Sequence, residues 1–203
     1  MTPHPPRSAP PAPVRLRLYA WAAGLFLGAL EGALAVVVAD IRSGALALVC
    51  VVGAAMVLGT VAGRPLARHL GRRRTGLVMA VLAAVGAGLA AGLDGVPALI
   101  GAGLAGSAAG GLLVVAPLVC HELSLRGHKR LMPQAMALGS AGAGVATLTA
   151  WWSPARTPTA WVVVAVAALV HLFCALRLPE SPTWLVRQSR DVEAFEALRR
   201  LHG

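Results

Sequence analysis

The stretch from Gly63 to Val78, GRPLARHLGRRRTGLV, decides how the rest of this chain is read. It gathers Arg64, Arg68, Arg72, Arg73 and Arg74 between two runs that carry no charge, Gly44–Ala62 before it and Thr75–Leu93 after it. Each run has roughly the 20 apolar residues that a helix needs to cross the hydrocarbon core of a bilayer. A basic break between two such runs is a loop held on one side of a membrane.

Working outward, four more apolar runs appear: Leu18–Ala39, Val96–Cys120, Met132–Trp152 and Thr159–Leu176. The remaining basic residues sort by side. Arg7, Arg15 and Arg17 precede the first run. Arg126, Lys129 and Arg130 lie between the fourth and fifth, and Arg177, Arg187, Arg190, Arg199 and Arg200 follow the sixth. The opposite side holds only Arg42 and Arg156. Positive residues mark cytoplasmic loops, so both termini are expected in the cytoplasm. Composition agrees: 57% of the 203 residues are hydrophobic and 13% charged, against about 25% charged in soluble domains. The net charge of +10 is therefore topology rather than a nucleic-acid surface, because the cations sit beside apolar runs.

The expected fold is an all-α membrane protein: a six-helix transmembrane bundle with C-terminal cytoplasmic amphipathic helices. Residues 1–17, rich in proline, read as a disordered cytoplasmic tail without the features of a cleaved signal peptide. Residues 18–178 form the transmembrane domain and residues 179–203 the amphipathic helices. In the last segment Ser181 can N-cap a helix with Pro182 at its first position. A second helix beginning near Ser189 or Asp191 repeats Val192, Phe195, Leu198 and Leu201 on one stripe, suited to docking on the bundle or lying in the lipid interface.

Small residues recur at helical spacing. Gly24, Gly28 and Gly32 share one face of the first helix, and Gly106 and Gly110 one face of the fourth, as close helix packing in lipid requires. Trp151, Trp152 and Trp161 flank a loop, where indoles favour the membrane interface. Cys50, Cys120 and Cys174 lack metal-ligand spacing and read as small hydrophobes. No metalloprotease motif, phosphate-binding glycine loop or nucleophile–base pair occurs, so no enzyme activity, cofactor or metal is expected. Glu31 stands out in the first run, since a charge at that depth costs on the order of 3 kcal/mol. Two readings stay open: a carboxylate that couples protons or lines a cavity, or a protonated Glu bonded between helices. His171, in the sixth run, reads as a lipid-facing or packing histidine.

Several motifs resemble those of the sugar porter family of the major facilitator superfamily. Pro179-Glu180-Ser181-Pro182-Thr183-Trp184-Leu185 is similar to PESPRWL after helix six, and SRDVEAFEALRRLHG to the GRxxEAxxxLxxLRG that follows. The opening stretch resembles the loop motif ending in GRR, and Pro117 to Glu122 (PLVCHE) resembles PxYxxE. Arg126-Gly127 and Gln134 follow RGxxxSxxQ. The chain departs from these patterns at Arg68, His69, Ala102, Val119 and Thr183.

The resemblance implies half of a twelve-helix fold, the N-terminal six helices, with a solute bound between two halves that rock against each other. It implies a secondary-active transporter for a sugar-like or other small polar solute, working with a second six-helix half supplied by a continuation, a separate chain or a homodimer. Gly71, Arg72, Arg73, Glu122, Arg126, Gly127 and Glu180 match a cytoplasmic gating network, and Gln134 a substrate contact. Glu31 lies one position beyond the match to the family's GYD motif in helix one, a shift that turns a helical side chain by about 100°. The expected location is the plasma (inner) membrane, with the lipid bilayer as partner and no nucleic acid. The alternative is a degenerate or accessory membrane protein that keeps the half-fold without transporting.

Overall fold

The structure is a computed structural model that describes residues 14–39, 45–123, 128–153 and 155–202. Every regular element among them is a helix: α1 Val14–Ala39, α2 Ala45–His69, α3 Arg72–Gly92, α4 Val96–Leu123, α5 His128–Trp152, α6 Arg156–Leu176, α7 Pro182–Arg187 and α8 Asp191–His202.

The long helices form two groups of three. In one, α4 packs between α2 and α3; in the other, α1 packs against both α5 and α6. Helix α3 joins the groups by packing on α6, while α1 meets α4 and α2 only lightly. The core between them is built mainly of alanine, including Ala83, Ala87, Ala105, Ala108 and Ala168, with Phe26, Leu30, Leu112 and Trp161 as bulky members. Small side chains let the backbones close in, which suits association in lipid, where apolar burial gives no net drive. The expected glycine faces do this work. A Cβ on Gly28 would collide with the carbonyl oxygen of Gly139 in α5, and one on Gly110 with the carbonyl oxygen of Met56 in α2. Thr60 Oγ1 adds a bond across the second contact, donating to the Gly110 carbonyl at 3.3 Å as well as to Met56 at 2.8 Å.

Among the described residues, five helices, α1 to α4 and α6, are long and apolar enough to cross a membrane. Helix α5 is of similar length, at 25 residues, but Gln134, Ser140, Thr147, Thr149 and its glycines dilute it. It packs against α1 instead of relying on its own hydropathy.

Two sequence expectations change, and a third gains detail. The basic break is mostly helix: α2 continues to His69 and α3 starts at Arg72, leaving only Leu70 and Gly71 as a turn. Lysine- or arginine-rich sequence is no obstacle to a helix, so α2 simply extends beyond its apolar run. Trp161 is not an interfacial residue. It is 1% exposed in the core, while Trp151 and Trp152 are exposed. In α8, Ala194 and Ala197 pack against Leu185 of α7, leaving Val192 and Phe195 exposed. The larger apolar stripe therefore faces away from α7.

Candidate functional site

At the end where α2 turns into α3, the polar residues of three distant segments meet. Gly71 caps α3 with φ 94°, a left-handed conformation that only glycine adopts without strain. Its missing side chain also makes room: a Cβ there would stand 2.8 Å from a carboxylate oxygen of Glu180. That carboxylate accepts from the Arg73 backbone N–H at 2.9 Å and from the Ser181 N–H at 3.1 Å. It therefore caps the positive end of α3 from more than a hundred residues away, satisfying an N–H that no helix can bond internally.

Arg72 is 7% exposed. Its Nη2 and Nε donate to Glu122 at 2.9 and 3.1 Å, and its Nη1 donates to the Ala67 carbonyl at 2.7 Å. Glu122, at the end of α4, also accepts from Ser181 Oγ at 2.5 Å. Thr183 Oγ1 stands 2.8 Å from the same serine oxygen, which in turn accepts from the Trp184 N–H as the N-cap of α7. Trp184 Nε1 donates to the Arg68 carbonyl at 2.9 Å, and Arg73 Nη2 donates to the Leu176 carbonyl at 3.2 Å. The corner thus staples α2, α3, α4, the end of α6 and α7 together.

Five of the expected network residues, Gly71, Arg72, Arg73, Glu122 and Glu180, meet here. Arg126 and Gly127 lie outside the described residues. Ser181, Thr183 and Trp184 were not foreseen as members. Thr183, where the related motif has Arg, joins through its hydroxyl. The signal available in sequence was adjacency to Glu180.

Behind the corner, Tyr19 of α1 and His171 of α6 are fully buried with ring centroids 4.9 Å apart. Tyr19 Oη and both imidazole nitrogens lack a hydrogen-bond partner among the described residues. Of the two readings of His171, the structure takes packing.

The second feature is a groove of about 450 Å³ on the flank of the bundle, where α1 and α5 part from α4 and α2. Helix α1 contributes Gly24, Leu27, Glu31 and Leu34. Helix α4 contributes Leu112, Leu113 and Pro117, and α5 contributes Met132, Met136 and Ser140. Glu31 is exposed to this groove. It lies 8 residues before the end of α1, about 12 Å along the axis, and so well inside the span. No described residue forms a hydrogen bond or ion pair with it. Gln134 is exposed on α5 but outside the groove lining. The α5 residues that line the groove, Met132, Ala135, Met136, Gly139 and Ser140, centre roughly half a turn away from it at 100° per residue.

A six-helix bundle stapled at one end and grooved along one flank is the architecture of one half of a major facilitator superfamily protein. The proton:xylose symporter XylE bound to 6-bromo-6-deoxy-D-glucose superposes with a TM-score of 0.74 at 20% identity, over 93% of this chain and 49% of that one. A partially occluded inward-open structure of the xylose transporter XylE from E. coli matches with a TM-score of 0.65 over 93% and 53%. The chain belongs to the family "Sugar (and other) transporter", whose model matches residues 18–203. It is 32% identical over 163 residues to plastidic glucose transporter 4 of Arabidopsis thaliana, covering 74% of this chain and 28% of the relative. It is 33% identical over 156 residues to MFS transporter fmqE of Aspergillus fumigatus, covering 72% and 29%. The chain thus spans under a third of these curated relatives and about half of the solved structures.

Proposed function

We propose that this chain is the N-terminal half of a secondary-active carrier that moves a small organic solute by alternating access. The observation that carries the reading is Glu31: a carboxylate deep in a long apolar helix, exposed to an open groove and without a partner among the described residues. A charge placed so is costly unless a cavity, a proton or a ligand receives it, and each of these belongs to a transport path. A second six-helix half, from a continuation, a separate chain or a second copy, closes the groove into a central cavity. Glu31 then exchanges a proton with the path and couples solute movement to it.

The stapled corner is a cytoplasmic gating network in this scheme, joined by Arg126 and Gly127, and both termini lie in the cytoplasm beneath the plasma (inner) membrane. Arg72 and Glu122 fix the ends of α3 and α4, and Glu180 ties the segment after α6 to them, so the half moves as one body. A degenerate or accessory role is disfavoured by the corner, whose ion pair and caps are complete despite the departures at Arg68 and Thr183.

The test is uptake into proteoliposomes that contain this chain, alone and with a six-helix half encoded beside it. Glucose and xylose come first in the panel because the relatives are named for them, with organic cations and anions beside them. Accumulation driven by an inward proton gradient and abolished by Glu31→Gln supports the reading. Absence of uptake in every combination, or uptake whose proton dependence survives Glu31→Gln, overturns it.

A further inference from the structure

We propose that the flank groove receives an apolar organic cation, held at the Glu31 carboxylate against aliphatic and thioether side chains. The inference deepens the reading of the groove as a solute path and rests on it.

The lining decides the ligand class. Among the described residues that line the groove, Glu31 is the only charged one and Ser140 the only one with a hydroxyl. The Ser140 hydroxyl is turned back to the Met136 carbonyl of its own helix at 3.4 Å. The rest of the surface is Ala, Gly, Leu, Met, Pro and one Cys. Pro117 has no N–H to offer, and the helical backbone elsewhere spends its donors internally. This wall therefore presents acceptors and hydrocarbon, with almost no donors.

A hexose carries several hydroxyls, each of which loses about 1–3 kcal/mol when buried without a partner. Set against Leu27, Leu112, Met132 and Met136, most of its hydroxyls meet hydrocarbon on this side. An anion is repelled by Glu31. A neutral apolar molecule leaves the carboxylate desolvated with nothing to offset it. A cation with an apolar body satisfies both parts of the wall: its charge pairs with Glu31 in a low-dielectric setting, where one such contact is strong, and its body covers the leucines. The size suits such a ligand, since about 450 Å³ falls in the range of drug-sized sites, about 300–1,000 Å³. Met56, Met132 and Met136 give the wall flexible, polarisable side chains that adapt to differing shapes.

The experiment is equilibrium binding of radiolabelled tetraphenylphosphonium to the full chain in nanodiscs. Tetraphenylborate, of the same shape and opposite charge, and glucose serve as competitors. Saturable cation binding is expected, unaffected by glucose or tetraphenylborate. Glu31→Gln should weaken it by roughly tenfold or more, the scale of one desolvated charge contact, while Glu31→Asp keeps part of the affinity and the surface variant Glu193→Gln keeps all of it. Met136→Trp, which fills the groove and leaves the carboxylate in place, should also weaken binding; retained thermal midpoints establish that the variants are folded. Cation binding that is indifferent to both Glu31→Gln and Met136→Trp overturns the proposal, as does equal binding of tetraphenylborate or Glu31-dependent competition by glucose. The two readings fail separately. Proton-coupled glucose uptake that depends on Glu31 would keep the carrier and remove the cation. Glu31-dependent cation binding without uptake of any solute would keep the cation site and remove the carrier.

Discussion

The corner and the groove are both places where this apolar chain holds charge, and they treat it in opposite ways. In the corner the charged side chains that join the helices have partners. Arg72 uses three of its nitrogens, Glu122 accepts from Arg72 and Ser181, and Glu180 caps α3. In the groove Glu31 is the one charge among the described lining residues, set among leucines, glycines and methionines. A saturated network fixes one arrangement of the helices around it. A carboxylate that no described residue bonds fixes no such arrangement, and in the proposed scheme its interaction free energy is left for a solute. The difference separates the part of the molecule that maintains the fold from the part that the fold holds open.

The comparison breaks if the corner proves dispensable. Arg72→Ala leaves Glu122 partly buried without its counter-ion, and removing one member of a buried pair typically costs about 3–5 kcal/mol. Ser181 still donates to Glu122, so a loss near the lower end, about 3 kcal/mol, is expected in thermal or denaturant unfolding in detergent. The pair Arg72→Ala with Glu122→Ala should cost less than the sum of the single changes, because the double variant leaves no orphaned charge. Additive costs would mean that the two side chains are not coupled, and the corner would lose its claim to be a staple.

Smaller effects sharpen the same side. Gly71→Ala forces a side chain into left-handed backbone and against the Glu180 carboxylate, for an expected loss of about 1–2 kcal/mol. Glu180→Ala removes the cap from α3, for about 1 kcal/mol. Because a Cβ at residue 71 crowds that carboxylate, shortening residue 180 should relieve part of the Gly71→Ala cost. An unfolding cycle over the two positions reads this as a coupling; strict additivity would show that backbone strain alone disfavours alanine.

The two regions also differed in how far sequence could reveal them. Charge alternation and apolar run length gave the helices, since each property is local and repeats along the chain. Motif resemblance supplied Arg72, Glu122 and Glu180 as one set, which composition alone does not do: Glu122 lies 50 positions beyond Arg72 and Glu180 more than a hundred. Thr183 and Trp184 escaped because their roles depend on the angle at which α7 leaves Pro182. Trp161 misled because adjacency to a loop suggests an interface, whereas the alanines opposite it leave room for an indole in the core. Gln134 was singled out by its spacing from Arg126-Gly127, and spacing along α5 does not reveal which face turns towards α1. Glu31 was the reverse case. Its depth was plain from position alone, but its exposure to a groove required knowing that α1 turns its glycines to α5 and leaves Glu31 beside them.

The smallest expected effect on stability is the most informative about the groove. Glu31→Gln removes a charge that no described residue pairs with, and substitutions at exposed, unpartnered positions usually shift stability by no more than about 0.5 kcal/mol. In detergent the variant should melt with the parent, in contrast to Arg72→Ala. A small gain is also consistent, since an unpaired carboxylate inside a membrane span is itself unfavourable. Were Glu31→Gln instead to destabilise the bundle by 2 kcal/mol or more, on the scale of a broken buried hydrogen bond to a charged group, Glu31 would be a structural residue bonded between helices. The groove would then have no free charge to offer a solute, and the distinction between the two regions would collapse. Unchanged stability together with lost solute binding is the combination that a ligand-facing carboxylate produces and a structural one does not.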